Sequence, residues 1–183
     1  MRFGVVLVGL VMAGCATSQK AQAPRGTVLT SQEDAFTVEF PAGFPPAQKE
    51  VSTEQTDAGP VQLSMYVSES NALACLVSRA TYPAALFTGP ESEQAMLAGA
   101  LSGITDGGKF KVDGLKDHRL QDHAARSLVA AGESEGHAVT MRVTMAVVPP
   151  HLYQLNCTGV DGAAVGTPEV DGFFQSFRVT NIK

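Results

Sequence analysis

His137-Ala-Val-Thr-Met-Arg-Val-Thr-Met-Ala-Val-Val148 decides the fold. Val139, Met141, Val143, Met145 and Val147 fall on one side, and Thr140, Arg142 and Thr144 on the other. Successive side chains of a strand point to opposite faces, so period two over twelve residues means a long strand with one well-covered face. Pro149-Pro150 turns the chain, and Leu152 to Thr158 returns as a strand with Tyr153, Leu155 and Cys157 together. Antiparallel neighbours with clean alternation follow.

Working outward, more strands appear on both sides. Lys109 to Leu120 and Ala124 to Ala131 read as a pair joined around Gln121-Asp122-His123. Gln48 to Thr56 and Val61 to Ser68 read as a hairpin about Asp57-Ala-Gly-Pro60, and Leu73 to Tyr82 as a strand with Leu73, Cys75 and Val77 on one face. Phe36-Thr-Val-Glu-Phe40, ended by Pro41, is a short half-buried strand with Phe36, Val38 and Phe40 inward.

Two helices punctuate these strands. Pro90 suits a first helical position, and Glu91 and Glu93 complement the positive end of the helix dipole. Met96, Leu97, Ala100, Leu101 and Ile104 make an apolar stripe, and Asp106-Gly-Gly108 stops the helix. Thr167-Pro168-Glu169 is a helix start, followed by Val170, Phe173, Phe174 and Phe177 at helical spacing. Arg178 to Ile182 offers a last edge strand. The expected class is α+β: a mostly antiparallel sheet with helices packed on its faces.

The N-terminus carries an address. Arg2 precedes an apolar stretch from Phe3 to Met12, too short for a bilayer, which needs roughly 20 apolar residues. Met12-Ala13-Gly14-Cys15 follows. The segment resembles a bacterial lipoprotein signal with its lipobox. The resemblance implies cleavage before Cys15 and a diacylglycerol on its thiol, with an N-acyl chain such as palmitate. At about 0.8 kcal/mol per buried methylene, such chains tie the protein firmly to a membrane. Ala16 in the next position implies the outer membrane, facing the periplasm. Expected boundaries are a signal peptide over 1–14, a lipidated N-terminus and polar tether over 15–30, and one α+β domain over 31–183. Fully extended, the tether reaches about 50 Å.

Composition narrows the function. Losing Arg2 takes the formal charge from −5 to −6, and that acidity excludes nucleic acid as a partner. With Cys15 lipidated, Cys75 and Cys157 remain, an even number in an oxidising compartment and a possible disulfide.

Phe36-x-Val38-x-Phe40-Pro41, the hairpin, Tyr82-Pro83, the helix, the strand meander, Leu152-Tyr153-Gln154-Leu155 and Phe173-Phe174-x-Ser176-Phe177 together are similar to PsbP-like α/β/α sandwich domains. The resemblance spans roughly residues 36–180. It implies a six- or seven-stranded antiparallel sheet with helices on its faces, and an accessory or binding role. It transfers no functional residue.

Motifs that suggest chemistry have plainer readings. Gly132-Glu-Ser134-Glu-Gly136 matches a nucleophile elbow, but a strand follows it where a helix is needed, so it reads as a hairpin turn. Asn156-Cys-Thr158 reads as a strand with Asn156 and Thr158 on its polar face. Arg142, mid-strand on the face opposite the Met/Val row, reads as a surface ion pair, with an anionic ligand as the alternative. Asp117-His118 and Asp122-His123 are weak candidate metal ligands, needing a bend to converge and possible help from His137 or His151. The expectation is no catalytic residue, no metal and no cofactor. The chain reads as a non-catalytic, membrane-anchored envelope module that binds an envelope protein or small ligand. The alternatives are an enzyme using the Asp117–His123 region, or a purely structural envelope lipoprotein.

Overall fold

A computed structural model describes residues 26–105 and 109–180. Cys15, the signal segment, the Asp106–Gly108 helix stop and the end of the expected last strand lie outside the described residues. Seven strands form one antiparallel sheet: β3 (Gln48–Thr56), β4 (Gly59–Ser70), β5 (Leu73–Thr81), β6 (Phe110–Leu120), β7 (His123–Ser134), β8 (His137–Val148) and β9 (His151–Val160). Their spatial order is β3-β4-β5-β9-β8-β7-β6. A second sheet, ordered β1-β2-β10, combines β1 (Thr27–Ser31), β2 (Phe36–Phe40) and β10 (Arg178–Val179). The helices are α1 (Pro90–Thr105) and α2 (Pro168–Ser176).

The twelve-residue alternation of β8 spans His137–Val148, and its Val/Met row lies on the face that α1 covers. Leu97 of α1 is fully buried there against Leu128, Val143, Met145 and Leu152. It is the one fully buried residue of that helix. The opposite face carries the denser core. Phe36, Val38 and Phe40 of β2, with Val170, Phe173 and Phe177 from α2 and its C-terminal cap, pack on Tyr66, Val77, Tyr153 and Leu155. Thr167 caps α2, its hydroxyl accepting from the Val170 amide, and Pro168 starts the helix.

Within that core Cys75 of β5 lies directly opposite Cys157 of β9, and the two are bonded. Their Cα atoms are 4.1 Å apart, the close spacing of a non-hydrogen-bonded antiparallel pair. Both sulfurs sit in residues with no exposure.

Two expectations need correction. The Phe36–Phe40 strand, with Phe36, Val38 and Phe40 inward, builds its own small sheet over the large one. Its partner β1 takes Thr27–Thr30 out of the expected tether, because Thr27 to Ser31 pairs in full register with Phe40 to Phe36. The expected turn at Gly132–Gly136 shrinks to Glu135-Gly136, both at positive φ (+53° and +83°), while Gly132 to Ser134 continue β7. A two-residue turn with both φ positive matches the twist of a hairpin, so the Gly-x-Ser-x-Gly motif is a strand end and its turn, followed by a strand.

Candidate functional site

The two Asp-His pairs do not converge. Asp117 sits opposite Arg126, whose guanidinium donates to it at 2.6 and 3.1 Å. His118 lies on the other face of β6, where its Nε2 is 2.7 Å from the Ser127 hydroxyl, itself 2.8 Å from that of Thr144. Adjacent residues of one strand diverge by geometry. Asp122 is exposed in the turn, its carbonyl accepting from Arg119, and His123 faces a shallow cavity beside Pro149 and Val179. His137 pairs with Asp161 at 3.0 Å, far along the chain from the others. Among the described residues, no group of three or more His, Cys, Asp or Glu could hold a metal ion. Arg142 makes the expected ion pair, with Asp171 of α2, and its guanidinium also lies 4.5 Å over the Phe174 ring.

A polar cluster the sequence reading missed lies where the small sheet meets the large one. Asp34, in the β1–β2 turn, is almost completely buried. Its carboxylate accepts from Tyr66 at 2.6 Å and from Arg79 at 3.1 Å, and lies 3.1 Å from the Lys49 ammonium. Tyr153 donates to the Asp34 carbonyl at 2.8 Å, and Ala35 beside it adopts φ +53°. Burial alone raises the Asp34 pKa, but the hydrogen bonds from Tyr66 and Lys49 outweigh it and hold the carboxyl below its ordinary value. Hydrogen bonding to Glu33 holds Lys49 above its ordinary value.

Arg79 extends the cluster to His151, whose Nε2 is 3.0 Å from the guanidinium. A guanidinium can only donate, so Nε2 accepts and the proton sits on Nδ1, which donates to Thr81 at 3.0 Å. Burial, then the Arg79 charge, push the His151 pKa down to about 4. Each charge has an opposite charge beside it, and the Arg79 Nε alone is a buried side-chain donor without a partner among the described residues, so the cluster fastens the β1–β2 turn to β3, β4, β5 and β9. One sequence signal could have revealed it. Arg79 shares the face of Cys75 and Val77 in an apolar strand, and a charge on a core face needs a buried partner.

The open concave surface lies on the other face, the one bearing α1. That helix packs on β6, β7 and β8. Beside it a cleft of about 510 Å³ is lined by Ala100, Gly103 and Ile104 of the helix, Phe110, Met141, and the amides of Gln154 and Asn156. Among the described residues its lining carries no charge. A second depression of about 520 Å³, at the β3–β4 end, is lined by Gln48, Glu50, Val67 and Glu69 among others. Cavities of this size are in the range of ligand sites.

No protein-family model matches the chain, and no curated protein matches it. Solved structures do. Cyanobacterial PsbP (CyanoP) from Synechocystis sp. PCC 6803 aligns with a TM-score of 0.57 at 9% identity, over 90% of this chain and 98% of that one. LpqN of Mycobacterium tuberculosis, described as involved in cell envelope biogenesis, aligns at 0.47 and 15% identity, over 76% of this chain and 88% of that one. PA94 of Pseudomonas aeruginosa, of unknown function, aligns at 0.39 and 15% identity, over 75% and 84%. The last two likenesses carry no argument, and the first speaks to fold alone. On that match and the layers described above, the chain has a PsbP-like fold, an α+β sandwich built on a mostly antiparallel sheet.

Proposed function

We propose that the chain is a lipid-anchored accessory module of the bacterial cell envelope, which binds a partner or ligand and performs no chemistry of its own. The observation that carries this reading is the buried Cys75–Cys157 bond. Disulfides persist in exported proteins, and the pair uses every cysteine left once Cys15 is set aside for lipid. Export is what the Arg2-to-Cys15 segment calls for, and Ala16 favours the outer membrane. A binding role is supported by the cleft beside α1, whose lining among the described residues is uncharged, while the charges of the Asp34 cluster pair with one another.

The anchor is tested with Cys15→Ser in cells fed labelled palmitate. The expected result is loss of label, of signal cleavage and of membrane partitioning. Continued membrane partitioning with unchanged processing would overturn the anchor. Crosslinking in intact envelopes tests the binding role, and failure to recover any specific crosslinked species would count against it.

A further inference from the structure

We propose that the α1-bearing face of the large sheet binds an extended peptide segment of apolar residues ending in basic ones, across the strands from α1 to the β3 edge. The proposal rests on the binding-module reading and names its ligand class.

Strand register aligns the two depressions on one face, and we read them as the ends of one trough. On this face Asn156 pairs with Leu76, Leu76 with Val67, and Val67 with Gln48. A parallel row runs Gln154, Ser78, Met65, Glu50. Asn156 and Gln154 line the cleft beside α1, and Val67 and Glu50 line the depression at the other end. Leu76 therefore lies between the two cavities, and it is only half-buried, as are Met65 and Val67. The span from β9 to β3 is three strand spacings, about 14 Å, or roughly four residues of extended peptide.

The chemistry changes along the trough. At the α1 end the walls are apolar and the polar groups are neutral amides, which can both donate to and accept from a peptide group. The middle is aliphatic. At the β3 end stand Glu50 and Glu69, and neither has an ion-pair partner among the described residues. An apolar body with a cationic end complements this gradient, whereas a phosphate headgroup meets like charge.

The test uses the purified full chain and two labelled six-residue peptides. Each has four alternating Leu and Val residues, one followed by two Lys and the other by two Glu. Fluorescence anisotropy is expected to favour the Lys peptide by about tenfold, the worth of two exposed charge contacts. Glu50→Gln with Glu69→Gln is expected to erase that preference. Gly103→Leu is expected to weaken binding of the Lys peptide at least several-fold. Gly103 lines the cleft, and a Cβ there meets nothing within 4 Å. Leu also favours helix over Gly, so misfolding would not explain the loss. Equal binding of both peptides, a Gly103→Leu variant that binds normally, or no binding at all would each overturn the proposal. None of these results touches the Cys15 anchor, whose own test is separate.

Discussion

The two faces of the seven-stranded sheet are held in different ways. One lies under β2 and α2, with Phe36, Phe40, Tyr153, Phe173 and Phe177 interleaved about a disulfide. Its ring pairs are 5.2 to 6.4 Å apart, and Asp34 ties the covering turn down. The other lies under α1, which buries one side chain completely and leaves β4 and β5 partly uncovered. A helix with Ala95, Ala98, Gly99, Ala100 and Gly103 has little side-chain volume to fill a groove. The contrast divides the molecule: one face is densely packed and disulfide-bonded, and the other leaves part of the sheet uncovered.

The strongest way to break the comparison is to remove the disulfide. The bond closes a separation of 82 residues, which in the chain-entropy model is worth roughly 4–5 kcal/mol. Cys75→Ala with Cys157→Ala should lower stability by that order in denaturant titration. A loss below about 1 kcal/mol would mean that the aromatic packing alone carries this face.

Next comes the polar cluster. Asp34→Ala leaves Arg79 and Lys49 without their buried partner and should cost about 3–5 kcal/mol. The same cluster sets an acid limit. His151, held neutral, has its pKa lowered from 6.5 to about 4, so its contribution is full above pH 6.5 and is lost as pH falls toward 4. Asp34 has its pKa lowered below the ordinary value of 3.8, so its share is lost at still lower pH, as the folded carboxyl protonates. Thermal melts should therefore drop between pH 6.5 and 4, and His151→Gln should flatten that drop. A wild-type melting temperature constant over this window would refute the assignment.

The α1 face should respond less, and locally. Leu97→Ala is expected to cost about 2–3 kcal/mol, at the low end for a buried Leu, since the loosely packed helix can settle inward. Hydrogen exchange should quicken in Pro90–Thr105 and leave β2 and α2 protected. If both faces lose protection together, the two layers fold as one unit and the division fails.

The smallest effect is expected at Asp117. Its side chain is 62% exposed, so Asp117→Asn should change stability by less than about 1 kcal/mol, despite the short contact to Arg126.

Much of this architecture was legible in the residues. Period-two alternation located β8, which runs from His137 to Val148 as the alternation requires, although from Val143 onward both of its faces are buried. Pro90 and Thr167-Pro168 marked both helix starts, because the needs of a first helical turn are local. The cysteine count suggested a pair, although only the register of β5 on β9 could place Cys75 against Cys157.

What escaped the sequence was long-range. Nothing in Phe36–Phe40 says that it belongs to a separate sheet, since its alternation would suit either, and the choice is made by β1 on one side and Arg178-Val179 on the other. The Asp-His pairs looked like a constellation because sequence shows proximity along the chain and not direction across a strand. The Asp34 cluster draws on the β1–β2 turn and four strands, and becomes visible only when they meet. Local physics, in periodicity, caps and turns, was written in the sequence, and so was the resemblance of Met1–Cys15 to an export signal. Which strands are neighbours, which charges share a buried site, and which face stays open were decided by tertiary packing, because each depends on groups tens of residues apart arriving at one place.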